Sequence, residues 1–173
     1  KSCILFAGLL AKGVTRVVER MPTRDHTEKL LMDMGVELEM DGNTIAVSGG
    51  SIDNLSRDKY EFNVPGDFSS AAFWLAAGAI FEGACITVEN VGINPRRTAF
   101  LNVLSRMGVE VKVEKDPQSR NEPYGNVTVK GPPLLRGTVI GGAEIPNLID
   151  EIPLIAVLGA FAEGRTEICL LYT

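Results

Sequence analysis

The chain has 173 residues, 45% of them hydrophobic and 23% charged. That mixture excludes a disordered tail, a collagen-like fibre and a low-complexity linker. Lys and Arg number 17 against 22 Asp and Glu, a formal net charge of −5. Such a chain lacks the positive field that binding to nucleic acid or an anionic membrane requires. An anionic ligand must therefore be held by a local site.

The length suits one domain or parts of two. The longest uncharged stretch, Phe68–Phe81, is shorter than the ~20 apolar residues that span a bilayer. Cys3, Cys85 and Cys169 lie far apart in apolar runs with no C-x-x-C. This predicts buried free thiols in a reducing cytoplasm, with neither a disulfide nor a zinc framework. The apolar run Cys3–Ala11 is not read as a signal segment, because Lys12-Gly13 stands where small cleavage-site residues would lie. An opening Lys1 without Met reads as the middle of a longer chain.

The first predicted element is a small-residue apolar helix closed by Lys12-Gly13, since Gly enters the left-handed region freely. A β-rich run follows it. Thr23-Arg24-Asp25-His26-Thr27-Glu28 then opens an amphipathic helix, with Thr27, Leu30, Leu31 and Met34 at i, i+3, i+4 and i+7. The alternation Val36/Leu38/Met40 predicts a half-buried strand, turned at Asp41-Gly42 into Thr44–Ser48.

The pattern then recurs. Val64-Pro65-Gly66-Asp67 leads into a second small-residue helix, capped by Asp67 and closed at Glu82-Gly83. Asn94-Pro95 signals a helix start, Asn as N-cap and Pro in the first turn. Phe100, Val103, Leu104 and Met107 repeat the amphipathic spacing, and Met107–Glu110 repeats the Met-Gly-Val-Glu of Met34–Glu37. Val109/Val111/Val113 predicts a strand, and a polar connection, Lys115–Gly125, leads to another at Asn126–Lys130. A third copy starts at Ala156 and has Gly164 in the helix-closing place. The fold class is therefore α+β, built from β-α-β-α-β-β units. Residues 1–50 hold a unit lacking its first strand, Tyr60–Lys130 a whole one, and Thr138–Thr173 the start of another. A fold cut in mid-unit at both ends is expected to be part of a larger repeat protein.

Several polar residues invite a chemical reading. Asp25 and Glu28 have capping-box spacing, which accounts for both carboxylates structurally. Arg24 precedes the cap, and an Arg beside free helix N–H groups is a natural phosphate grip. His26, the only histidine, reads as a solvated or hydrogen-bonded residue and not as a base. Arg96 and Arg97 fall in a first helical turn, where cations oppose the dipole; they read either as a solvated pair or as the mark of an anion or an interdomain contact. Pro153 is tolerated only in a first turn, which puts Asp150 or its neighbour at an N-cap. Asp150 can serve as a cap, or as a general base kept ionised by the dipole in apolar surroundings. No P-loop, G-x-S-x-G or metal-ligand cluster occurs.

Five stretches carry a resemblance: KSCILFAGLLAKG, TRDHTEKLLMDMGV, VPGDFSSAAFWLAAGAIFEG, VGINPRRTAFLNVLSRMGVEV and NLIDEIPLIAVLGAFAEG. Spread from Lys1 to about Thr166, they resemble the 5-enolpyruvylshikimate-3-phosphate synthase (3-phosphoshikimate 1-carboxyvinyltransferase) family. The resemblance implies the enolpyruvyl transferase fold, an inside-out α/β barrel of such units in two lobes, incomplete here at both ends. It implies transfer of the enolpyruvyl group of phosphoenolpyruvate to the 5-hydroxyl of shikimate 3-phosphate. Phosphate is released through a tetrahedral intermediate, in chorismate and aromatic amino acid biosynthesis, with no metal or organic cofactor. The implied location is cytoplasmic, with no nucleic-acid or membrane partner.

Carried over by motif, Arg24 is similar to the residue that grips the shikimate phosphate. Thr23 lies where related enzymes have a small hydroxyl residue near that phosphate. Asp150 is similar to the carboxylate that accepts the proton of the attacking hydroxyl. The family's N-terminal Lys-Ser and Arg grip and its later Lys-Glu-Ser-Asp-Arg motif have no counterpart in the chain, and Cys169–Thr173 does not match its continuation. By resemblance the lobes join near Asn63–Gly66, so residues 1–63 belong to one lobe and 64–173 to the other. The chain alone is expected to be inactive. Two alternatives stand beside this reading: the sister UDP-N-acetylglucosamine enolpyruvyl transferase, and a non-catalytic remnant that associates with a partner.

Overall fold

The computed structural model describes residues 1–55 and 63–169. Tyr60, the expected start of the second repeat, and residues 170–173 lie outside them. The chain forms two compact units, Lys1–Asn63 with Arg120–Glu122, and Val64–Ser119 with Pro123–Thr173.

In the first unit the elements run α1 (Ser2–Leu10), β1 (Val14–Val18), α2 (His26–Asp33), β2 (Leu38–Asp41) and β3 (Thr44–Ser48). The strands form one sheet in the order β1-β3-β2, with both pairings antiparallel. Leu5 and Leu9 of α1 close the core on Leu31, Val36, Ile45 and Val47. α1 packs very close to the sheet because residue 8 has no side chain. A Cβ on Gly8 would lie 2.7 Å from Val47 Cγ1 and 2.9 Å from Thr15 Cβ.

The second unit repeats this plan with α3 (Phe68–Ile80), β4 (Cys85–Gly92), α4 (Ala99–Arg106), β5 (Glu110–Lys115) and β6 (Tyr124–Lys130). Its sheet order, β4-β6-β5, is the same and again antiparallel. The unit continues through β7 (Val139–Gly141), α5 (Ile152–Phe161) and β8 (Glu167–Cys169), where β7 and β8 pair in parallel around the helix. A single parallel bridge from Gly66 to Val91 holds the corresponding place ahead of α3. Gly78 of α3 and Gly159 of α5 occupy the position of Gly8, Gly78 against the strand residues Val129 and Ile86 and Gly159 against Thr166, just before β8. Gly13, Gly83 and Gly164, after the three apolar helices, all have positive φ, as the closing role requires.

The structure corrects several local expectations. All three cysteines are exposed: each stands on the outward face of its element, and its apolar neighbours supply the packing. In α2, Leu31 is buried but Leu30 is exposed. The strand alternation buries Val36 and Val109 at the start, then leaves Met40 and Val113 exposed at the far end. Asp25 is the N-cap of α2 but its side chain makes no cap bond. It pairs with Lys29 one turn on, at 3.3 Å, so no capping box forms. Asn94 heads a turn instead of a helix: its Oδ1 accepts from the Arg96 N–H at 2.9 Å, and α4 begins later, after Thr98. Asn is suited to this because its side chain mimics a backbone turn. Asp67 caps α3 as expected, accepting from the Ser70 N–H at 2.8 Å.

α1, α3 and α5 are apolar around their whole circumference. One face of α1 and of α3 packs on strands and α5 packs on α3, while Phe6 and Leu10, Phe73 and Trp74, and Val157 and Phe161 stand exposed.

Candidate active-site residues

Thr23 and Arg24 lie in the first unit, on the segment between β1 and α2, and both are exposed. The segment is held on both sides. The Thr23 hydroxyl donates to Glu19, and Glu19 accepts from Lys1 Nζ at 3.0 Å. The same ammonium reaches Glu28 Oε1 at 2.7 Å, and Glu28 is fully buried. Ser2 and Thr27 share a hydroxyl hydrogen bond of 2.6 Å. Arg24 thus sits on an exposed bend whose two ends are fixed, one through Glu19 and one through the first turn of α2. His26 is exposed in that turn.

Asp150 lies in the second unit, in the turn before α5, whose N-cap is the next residue, Glu151. Arg97 Nη1 donates to Asp150 Oδ2 at 3.1 Å, while Nη2 of the same guanidinium donates to Ser69 Oγ at 2.5 Å. The Ser69 hydroxyl in turn donates to Glu151 Oε1 at 2.7 Å, with Arg97 Nη2 3.7 Å from the same oxygen. The cluster joins three helix beginnings: Ser69 in the first turn of α3, Arg97 just before α4, and the Asp150-Glu151 pair at α5. Its members differ sharply in exposure. The side chains of Arg97 and Glu151 are 9% and 1% exposed, that of Asp150 42%.

Beside it, Asp67 loses hydration through burial, which pushes its pKa up. Hydrogen bonds from the Ser70 N–H and hydroxyl and the Ser69 N–H, with the charge of Arg97, more than offset this and leave it below the usual carboxylate value of 3.8. Anions at a helix N-terminus gain from the dipole and free N–H groups in this way.

Chemically, the cluster presents one solvent-facing carboxylate backed by a buried cation and a second, buried carboxylate. That arrangement suits proton exchange with a bound hydroxyl. Among the described residues no group of His, Cys, Asp and Glu could hold a metal ion, and no helix is long and apolar enough to cross a membrane. Arg97, Ser69 and Glu151 were not legible as a group from the sequence. The one signal was a cation placed against a helix dipole at Arg97, which marks a nearby anion.

The family model for EPSP synthase (3-phosphoshikimate 1-carboxyvinyltransferase) matches residues 1–169. The 3-phosphoshikimate 1-carboxyvinyltransferase of Synechococcus sp. is 48% identical over 170 residues, covering 97% of this chain and 37% of that protein. That of Geobacillus kaustophilus is 47% identical over 168 residues, covering 97% and 38%. The chain therefore spans little more than a third of the length of these curated relatives. Among solved structures, EPSP synthase from Acinetobacter baumannii superposes with a TM-score of 0.81 at 40% identity, over 95% of this chain and 37% of that one. The enolpyruvyl transferase NikO from Streptomyces tendae, at TM-score 0.70 and 24% identity over 95% of this chain and 37% of its own, shares the fold. With a family match running from residue 1 to residue 169, the chain belongs to the EPSP synthase (3-phosphoshikimate 1-carboxyvinyltransferase) family.

Proposed function

We propose that the protein containing this chain transfers the enolpyruvyl group of phosphoenolpyruvate to the 5-hydroxyl of shikimate 3-phosphate, releasing phosphate. The observation that carries the reading is the family match across residues 1–169. The site geometry is compatible with the chemistry. The 5-hydroxyl oxygen bonds to C2 of phosphoenolpyruvate while its proton passes to the solvent-facing carboxylate of Asp150, and C3 gains a proton. Loss of phosphate from C2 and of a proton from C3 then restores the double bond. Arg24 offers a planar pair of donors on a braced, exposed bend, suited to the shikimate phosphate, with the Thr23 hydroxyl beside it. In this reading residues 1–63 and 64–173 belong to different lobes, and the protein works in the cytoplasm.

The test is phosphate release by the Synechococcus relative carrying residues 1–169 of this chain in place of its own matching segment. Release that requires both shikimate 3-phosphate and phosphoenolpyruvate is expected. Asp150→Asn should lower turnover by ~10²–10⁴-fold, the usual contribution of a general base. The 173-residue chain alone should release none, because most of the relatives' length is absent from it and the charges around the intermediate are incomplete. A folded hybrid that is silent with shikimate 3-phosphate would sink the reading. Activity with UDP-N-acetylglucosamine as acceptor would point to the sister chemistry, and silence with both acceptors to a non-catalytic remnant.

A further inference from the structure

We infer that Arg97 is a positioning residue for Asp150, held in place by Ser69 and Glu151; the inference rests on the proton-accepting role of Asp150 proposed above. An Arg just before α4 stands against the dipole of that helix, and this one is also almost wholly buried. Both features are unfavourable unless anions compensate them. The compensation is specific. One guanidinium nitrogen reaches Asp150 Oδ2 and the other reaches Ser69 Oγ, which passes a hydrogen bond on to Glu151. A planar fork tied at two points has little rotational freedom, so the carboxylate it holds is fixed in direction as well as position. Proton transfer depends on such placement, because a hydroxyl must approach within hydrogen-bond reach of one particular oxygen.

The two carboxylates divide the work according to exposure. Asp150 faces solvent, where a substrate hydroxyl can reach it, whereas Glu151 is sealed beneath. When Asp150 takes up a proton it ceases to be an anion. Without Glu151 the reaction would then leave a buried guanidinium with only the charge of Asp67 beside it, which is unfavourable. With Glu151 3.7 Å from Nη2 and the charge of Asp67 nearby, the cluster keeps anions beside Arg97 after Asp150 takes up a proton. It stays compensated in both states, and Arg97 need not move.

The experiment uses the Synechococcus hybrid described above. Arg97→Met should lower kcat by ~10–100-fold while the KM for shikimate 3-phosphate changes by less than ~3-fold, the pattern of a group that acts on the transition state and not on binding. Arg97→Lys should recover little, since an ammonium lacks the planar fork whose two nitrogens fix the directions to Asp150 and Ser69. Ser69→Ala should show a smaller loss with the same split, and it carries the test if the Arg97 variants do not fold. In an Asp150→Asn background, Arg97→Met should cost less than ~2-fold more, because a residue acting through Asp150 has nothing left to position. A loss that multiplies undiminished in that background, or full activity in Arg97→Met, would overturn the inference. Full turnover by Asp150→Asn would instead defeat the reading on which it rests.

Discussion

Lys1 Nζ lies 2.7 Å from Glu28 Oε1 and 3.0 Å from Glu19 Oε2, with Glu28 buried in the first turn of α2. Three charges at the edge of the first core thus tie α1, the end of β1 and the start of α2 together. Removing one partner of a buried ion pair leaves the other desolvated, at a cost of roughly 3–5 kcal/mol. Glu28→Ala should fall at the lower end, about 3 kcal/mol, because Lys1 keeps Glu19. Urea unfolding of the chain measures it, and a loss below about 1 kcal/mol would show the pair to be only loosely held. Replacing Lys1 and Glu28 by Met and Glu19 by Gln together should cost less than Glu28→Ala alone, since none of the three charges then remains.

Asp67 predicts a pH signature. Its folded pKa lies below the ordinary 3.8, so the folded state favours the ionised form. The resulting stability is present in full above pH 3.8 and is lost as pH falls through the lower, folded value. Asp67→Ala should cost about 1 kcal/mol at neutral pH, as for loss of an N-cap. The gap between wild type and variant should close on acidification below about pH 4. A gap that persists unchanged at the lowest pH where the chain folds would mean that the carboxylate charge contributes nothing to the cap.

What could be read from the sequence, and what could not, follows the range of the interactions. The repeat was legible because each copy must solve the same local problem. A helix must stop at a left-handed Gly (13, 83, 164), and an apolar stripe such as Phe100, Val103, Leu104 and Met107 must face a sheet. Cap geometry failed where a distant residue competed. Glu28 has the spacing to close a capping box, yet Lys1 claims it from 27 positions away. Arg97 and Asp150 are 53 positions apart, so the sequence announces neither as the other's partner. Thr23 is named only through the family resemblance, whereas position at a helix start already offers a phosphate grip at Arg24 and a cap or general base at Asp150, each beside an ordinary reading.

Gly78 tests the close approach of helix to sheet that it shares with Gly8. A Cβ there would lie 2.9 Å from Val129 Cγ2 and 3.2 Å from Ile86 Cβ. Gly→Ala in a helix normally gains about 1 kcal/mol, whereas overpacking a core costs about 1–3 kcal/mol. With contacts on two strands, overpacking should win, and Gly78→Ala should lower stability by about 1 kcal/mol. A stabilised variant would show that α3 can lift off the sheet without penalty.

Because Cys3, Cys85 and Cys169 are exposed, all three thiols should react with a thiol-labelling reagent in the native chain. Cys169 should be the slowest at neutral pH. Its Sγ sits 3.5 Å from Glu167 Oε1, and that hydrogen bond, with the adjacent negative charge, pushes the thiol pKa up. Labelling proceeds through the thiolate, so Glu167→Gln should accelerate Cys169 while leaving Cys85 unchanged. Equal rates at all three positions would remove the influence of Glu167.

Arg24 is the residue whose role most directly separates a binding group from a surface cation. Its bend is fixed by the Thr23–Glu19 bond on one side and the Lys1–Glu28 pair on the other. Little order therefore remains to be imposed when a phosphate docks, and a larger share of the interaction should appear as affinity. In the Synechococcus hybrid, Arg24→Ala should weaken equilibrium binding of shikimate 3-phosphate by about 1.5–3 kcal/mol, the range for a charged hydrogen bond. Arg24→Lys should retain part of it, because the charge survives but the planar fork does not. If affinity is unchanged in both variants, the shikimate phosphate is held elsewhere. Glu28→Ala supplies the complementary measurement: by loosening the start of α2 it should reduce the same affinity without touching Arg24. A bend that binds equally well when unbraced would mean that Arg24 finds the phosphate through its own flexibility.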